Sequence, residues 1–436
     1  MSSALPLRVP GLKGFARRGL SAVVIKIGAA GLSFLMFVSL ARAMSQAEFG
    51  QFGFAFSLAT ILAVVGSLGQ RNLVLRFAAI YLSAGDEAQG RGVIHHSARL
   101  VLLGCGGTAA ILLLGSVYSI HGPLLRATAV LTIALGLAEF LPSPQRAAGR
   151  VWLALLPRDI VLRLAMISVA GLAAKGLVPE LTAVQTLWIM SALMLALTCV
   201  QAMLLPQTRP DAVLTQPRDT QALPEWRSAM WGLWGNSVVN SAGRNLAMVI
   251  LGVLLSGAAV GAMFAALRTA MVMELFLMAI NIVAAPMLAS RLHSHATSEA
   301  QTICRKVALL IGMPTLAAFL LLVVAGDRVL NLFGAGYAIM HAELVILAAG
   351  YLVSALAGPT MQLMEMGGYE RAYFKMLVVT TGVSLVALPF AVMWFGTIGA
   401  ALCIAGNLVV LNIWASLFIH AHMGLTAGLL PMGARA

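Results

Sequence analysis

Apolar runs, each about as long as the ~20 residues that cross 30 Å of hydrocarbon as an α-helix, follow one another along the whole chain. That repetition constrains the fold more than any other feature. Backbone N–H and C=O groups in hydrocarbon must be satisfied internally, so only helices and closed barrels can span it. A barrel needs short segments that alternate apolar and polar residues, and no such alternation occurs. Composition agrees: 60% of residues are hydrophobic and only 10% charged, against about 25% charged in ordinary soluble domains. The sequence predicts an all-α polytopic membrane protein.

Twelve spans are expected, at about 19–41, 50–70, 99–119, 124–141, 151–174, 181–205, 229–255, 259–288, 305–325, 342–365, 373–395 and 398–420. Arg8, Lys13, Arg17 and Arg18 precede the first run, and 41-ARA-43 resembles a cleavage site. The run from Gly19 to Leu40 is nevertheless longer than a secretory h-region of roughly 7–15 residues, so it is kept as the first membrane helix. With the N-terminus inside, 21 of the 28 Lys and Arg residues fall in inner tails, loops and helix ends, and four fall in outer connections. Lys and Arg favour cytoplasmic loops, so both termini are expected in the cytoplasm of a multi-pass inner-membrane protein. The same bias accounts for the net charge of +13, and no aromatic-interleaved basic surface points to nucleic acid.

The longest hydrophilic connection, 206-PQTRPDAVLTQPRDTQALPEW-226, lies near the middle of the chain. It divides the sequence into a basic tail (1–18), an N-lobe (19–205), a linker (206–228), a C-lobe (229–422) and a C-terminal tail (423–436). A weak repeat supports the division. In 45-SQAEFGQFGFAF-56 and 256-SGAAVGAMFAAL-267, Ser45 matches Ser256, Ala47 matches Ala258, Phe49 matches Val260 and Gly50 matches Gly261, all 211 residues apart. Six helices per half leave the two copies in the same orientation, so a pseudo-two-fold axis along the membrane normal would relate them.

The stretches 45-SQAEFGQFGFAFSLATIL-62, 331-NLFGAGYAIMHAELVILAAGYLVSALAGP-359 and 394-WFGTIGAALCIAGNLVV-410 resemble the multidrug/oligosaccharidyl-lipid/polysaccharide exporter superfamily. They are most similar to its polysaccharide-export branch of O-antigen-type flippases. The resemblance implies two six-helix lobes that alternate access and move a polyprenyl-pyrophosphate-linked oligosaccharide from the inner to the outer leaflet. It also implies a lateral opening between the first and eighth helices, with membrane lipids, a polysaccharide polymerase and a chain-length regulator as partners.

Polar groups inside the expected spans mark the candidate site. Asn236, Asn240 and Arg244 recur every four residues and share one face of the seventh helix, with Asn245 about 100° further round. Arg244 lies near mid-span, where a cation costs about 2.5–3.5 kcal/mol on insertion scales. Glu274, at similar depth in the eighth helix, is its candidate partner, and Asn281 lies on the same face as Glu274. Two roles stay open for the Arg244–Glu274 pair: an interhelical clamp, or a coupling and gating element. Arg268 and Lys26 are further cations within spans, Lys26 close enough to the inner end to snorkel. Arg244, Arg268 and Lys26 would bind pyrophosphate, and Asn236, Asn240 and Asn281 either bind sugar hydroxyls or bond between helices.

Other motifs carry less. Cys105, Cys199, Cys304 and Cys403 are isolated, with neither disulfide nor metal spacing. The pairs His95/His96, His293/His295 and His420/His422 supply too few ligands for a metal, and no nucleotide motif is present, so neither cofactor nor metal is expected. Asp159 and Arg163 are read as a local i, i+4 ion pair. Two rival functions remain. A cation-coupled multidrug antiporter would want a carboxylate in the first helix, which carries Lys26 instead. A membrane glycan polymerase or glycosyltransferase would want clustered acids outside, and Glu48, Glu180, Asp327 and Glu343 are scattered. The sequence favours a transporter over an enzyme.

Overall fold

The computed structural model describes residues 28–177, 179–204, 222–278, 280, 284, 288 and 297–429, and all regular structure among them is helical. In chain order the helices are α1 (Gly28–Arg42), α2 (Gln46–Gly66), α3 (Gln70–Ser83), α4 (Glu87–Tyr118), α5 (Gly122–Ala147), α6 (151–174) and α7 (Ala183–Met203). After the central connection come α8 (Leu223–Leu254), α9 (Gly257–Met278), α10 (Thr297–Asn331), α11 (Tyr337–Ala357) and α12 (Thr360–Met366). The last continuous stretch, Glu370–Met423, breaks at Gly396, whose φ of 58° and ψ of −137° suit glycine alone. It therefore forms two helices, α13 (370–395) and α14 (397–423), as the sequence predicts. With Glu370–Met423 counted once, nine of the described helices are long and apolar enough to cross a membrane. Leu103, Val324 and Trp394, each more than 70% exposed, sit on the perimeter, where lipid covers them.

Capping chemistry moves several boundaries away from the hydropathy reading. Asp86 accepts a hydrogen bond from the Gln89 N–H at 3.0 Å, so α4 starts at Glu87 rather than 99 and runs past the hydrocarbon. The expected loop before it holds the additional helix α3. Span 342–365 is interrupted where Gly358 takes φ 78° ahead of Pro359, which separates α11 from α12. The basic tail 1–18, the start of the first expected span up to residue 27, linker residues 206–221 and tail residues 430–436 lie outside the described residues.

Helix α6 is a single rod with a five-residue π-turn at Pro157–Val161. Proline has no N–H for the carbonyl four residues back and crowds it; that carbonyl is Leu153 O. Gln201 of α7 reaches across instead, donating to Leu153 O at 3.0 Å and Ala154 O at 3.3 Å. The break is thus supplied with partners from a neighbouring helix, as a spanning segment requires.

Lipid offers no hydrophobic drive for helices to associate, so close packing at small residues matters more. The two copies of the sequence repeat supply it to each other. Ser45 and Ser256 cap α2 and α9 by accepting from Glu48 N–H and Ala259 N–H at 3.2 and 3.4 Å. Immediately after these caps the helices touch: a Cβ on Gly50 would strike the Gly257 carbonyl, and one on Gly261 the Gln46 carbonyl. Beside this crossing, Phe37, Phe49, Phe52, Phe264 and Phe333, none more than 4% exposed, pack into one cluster. Arg42 extends the closure by donating from Nε to Leu332 O at 2.5 Å. We call this the distal end; the basic loops lie at the other.

Candidate functional site

A cavity of about 430 Å³ opens between the lobes, lined by α1, the π-turn region of α6, α8 and α9. Arg163, Arg244, Arg268, Asp159 and Glu274 all face it. Three of the sequence candidates, Arg244, Arg268 and Glu274, thus line one cavity. Lys26 and Asn281 lie outside the described residues.

Arg268 sits against the phenylalanine cluster. Its guanidinium carbon lies 4.6 Å from the Phe264 ring centroid, 4.8 Å from that of Phe37 and 5.6 Å from that of Phe56. Ring faces attract a cation by roughly 0.5–2 kcal/mol each, more when water is excluded, so three of them help to hold this charge at depth. They leave most of its donor capacity free: among the described residues Nε is buried with no hydrogen-bond partner, and Nη1 donates only to the Met271 sulfur at 3.7 Å. A guanidinium held by its face, with its fork unspent, is arranged for bidentate pairing with phosphate or carboxylate oxygens. Just beyond it, the 3₁₀ turn Met271–Met273 breaks α9 before Glu274.

Arg244 is exposed into the cavity. No ion pair joins it to Glu274 among the described residues, so the clamp allowed by their matching depth is not formed in this conformation. Asn240 donates from Nδ2 to Asn236 Oδ1 at 2.8 Å and to Asn236 O at 2.9 Å. One amide–amide bond therefore ties the two side chains together. Asn240 lines a second cavity, while Asn236 lines neither. Asn245 donates back to Ser241 O at 3.1 Å, off the functional face as its helical angle predicts.

Arg163, read from the sequence only as a local ion-pair partner of Asp159, also lines the cavity. Its pair with Asp159 exists, at 3.4 Å, and Arg163 Nη1 also donates to Ala29 O of α1 and to Asp159 O, both at 2.7 Å. The π-turn explains the placement, because it directs neighbouring charges to different sides. Asp159 and Arg163 face the cavity. Arg158 turns away to Glu139, whose two oxygens take Arg158 at 2.9 Å and Arg71 at 3.0 Å. The signal was present in 157-PRD-159, a proline followed by two charges inside an apolar run.

The second cavity, about 410 Å³, lies within the C-terminal lobe and shares Arg244, Glu274 and Met278 with the first. Two of the scattered outer acids are structural. Glu48 accepts from Ala183 N–H at the start of α7 at 2.6 Å, and Glu343 accepts from the Thr397 hydroxyl at 2.5 Å.

Comparison places this geometry. Residues 15–145 match the family model described as "Polysaccharide biosynthesis protein". No curated protein matches the chain. Among solved structures, the chain is similar to an inward-facing multidrug resistance MATE family transporter of the MOP superfamily, with a TM-score of 0.71 at 15% identity, covering 92% of this chain and 98% of that one. It is similar to the lipid II flippase MurJ in an inward closed conformation, with a TM-score of 0.64 at 13% identity over 91% and 86%. A MOP superfamily transporter from Pyrococcus furiosus, described as having a binding pocket of reverse polarity, aligns with a TM-score of 0.61 at 14% identity over 93% and 95%. The chain is a multi-pass membrane protein with the two-lobed helical fold of the multidrug/oligosaccharidyl-lipid/polysaccharide exporter superfamily.

Proposed function

We propose that this protein carries a polyprenyl-diphosphate-linked oligosaccharide from the cytoplasmic to the periplasmic leaflet of the inner membrane. Both termini lie in the cytoplasm in this reading, which rests on the Lys and Arg bias, and the distal end faces the periplasm. The observation that carries the substrate class is the convergence of Arg163, Arg244 and Arg268 on one interlobe cavity, with Arg268 held by ring faces and its fork unspent. A diphosphate stripped of water without replacement bonds loses several kcal/mol per group. Guanidiniums restore those bonds, while the prenyl chain stays in lipid. Opening of the contact between α2 and α9 then exposes the headgroup distally, where a polymerase and its chain-length regulator take it up.

The test replaces Arg244 and Arg268 by Gln together. Surface glycan disappears while the protein stays inserted and abundant; a normal glycan coat in that strain rejects the assignment. The cavity carboxylates Asp159 and Glu274 give a second reading some support, that of a cation-coupled multidrug antiporter. It requires accumulation of cationic dyes in cells lacking the protein, and under the flippase reading dye content does not change.

A further inference from the structure

We infer that the cavity within the C-terminal lobe is a sugar subsite, which receives the carbohydrate next to the diphosphate while Arg244 at its mouth holds the phosphate. This rests on the flippase reading above. Its volume of about 410 Å³ lies within the usual range of small-molecule pockets. Its deep wall is built from neutral polar side chains of α11 to α14. Asn412, 9% exposed, is fixed on three sides: Nδ2 donates to Ser354 Oγ at 3.1 Å and to Leu408 O at 2.9 Å, and Oδ1 accepts from Thr360 Oγ1 at 3.0 Å. Such a fully engaged amide holds the wall rigid.

Beside it, two groups stay unpaired. Among the described residues, Thr381, 4% exposed, has a buried Oγ1 with no hydrogen-bond partner, and Asn407 Oδ1 is likewise buried and unpartnered; both residues line the cavity. A buried polar atom left without a partner costs about as much as the hydrogen bond it lacks, and native structures keep few of them. These two point to a ligand that completes them. Asn407 Oδ1 only accepts, so it needs a donor, whereas Thr381 Oγ1 takes either role. A sugar hydroxyl both donates and accepts, and neighbouring hydroxyls on one ring can serve both atoms.

Competing ligands fit less well. A hard metal ion wants six or more oxygens, several of them carboxylates; Glu274 is the only carboxylate of this lining, and Arg244 stands beside it. A phosphate placed deep in the recess would meet neutral amides and hydroxyls, with its guanidinium only at the junction between the two cavities. The division is therefore anion at Arg244 and polyol beyond.

Binding of two probes to the detergent-purified full chain tests this: undecaprenyl diphosphate, and the same lipid bearing one N-acetylglucosamine. The wild-type protein binds the glycosylated lipid more tightly. Asn407→Leu and Thr381→Val each reduce that preference by about two- to tenfold, as expected for one neutral hydrogen bond, and leave the bare lipid unaffected. Thr381→Ser keeps the hydroxyl and the preference, and serves as the control if Asn407→Leu fails to fold. Equal binding of the two lipids by the wild type overturns the subsite and spares the cationic cavity. Binding of neither lipid overturns the flippase reading itself. A sodium-dependent rise in melting temperature that Thr381→Val abolishes, with the lipid preference intact, assigns the recess to a cation and overturns the sugar.

Discussion

Gly50 and Gly261, equivalent positions of the internal repeat, pack against each other's helices at the distal end, each leaving no room for a Cβ. The contact joins the two lobes through the very segments that reveal their kinship. Neither side can accept a side chain without separating α2 from α9. Overpacking a tight contact costs about 1–3 kcal/mol, enough to shift a gate equilibrium roughly 5- to 150-fold toward open. Gly50→Val and Gly261→Val are therefore expected to populate a distally open protein. Labelling of a cysteine introduced at Gln46 by a membrane-impermeant maleimide rises in both variants, and glycan delivery falls. Unchanged labelling means that this crossing is not the gate.

The two cavity arginines are held differently, so lysine should not substitute equally. Arg244 projects into open space, and a lysine there keeps the charge. Arg268 lies against Phe264, Phe37 and Phe56, where the flat guanidinium matters as much as the charge. Arg268→Lys is expected to lose about tenfold or more in transport rate, a loss of roughly 1–2 kcal/mol of ring contact, while Arg244→Lys loses less. Transport of fluorescently tagged lipid-linked sugar in proteoliposomes ranks the two, and the reverse order removes the special role of the aromatic cage.

Glu274 separates clamp from coupling. Breaking a buried ion pair costs about 3–5 kcal/mol because the survivor is stranded, and a membrane protein so weakened is degraded. Arg244 and Glu274 form no such pair here, so Glu274→Gln is expected to keep near-normal abundance in the membrane and to slow transport. Collapse of abundance, measured by immunoblot, would restore the clamp.

The architecture was legible because a lipid solvent leaves so few choices: run length identified the spans and separated 373–395 from 398–420. The repeat was legible as Ser45/Ser256 and Gly50/Gly261, though nothing in one copy says that it packs on the other. Arg244, Arg268 and Glu274 stood out as charges at mid-span. What stayed hidden depended on geometry rather than composition. Arg163 was legible as the partner of Asp159 but not as a cavity residue, and Asn236 shares a face with Arg244 yet lines neither cavity. Phe37, Phe56 and Phe264 come from three helices, so no spacing could join them into a cage. The polar wall of the C-terminal recess is assembled from Ser354, Thr360, Thr381 and Asn407, residues ordinary in any apolar helix.

The π-turn of α6 yields the last expectation. Pro157 deprives Leu153 O of its helical donor, and Gln201 replaces it. Gln201→Leu alone strands the Leu153 carbonyl, at about 1–3 kcal/mol for an unpaired group, so the melting temperature of the purified protein falls. Pro157→Ala returns an N–H to the helix and lets the segment regularise, which removes the need for Gln201. The double variant is accordingly expected to recover much of the stability lost in Gln201→Leu, a coupling readable by a double-mutant cycle. It should still transport poorly, because a regular helix rotates Asp159 and Arg163 relative to the cavity. Additive melting shifts would mean that proline and glutamine act independently, and full transport by the stable double variant would mean that the placement of Arg163 is immaterial to the cargo.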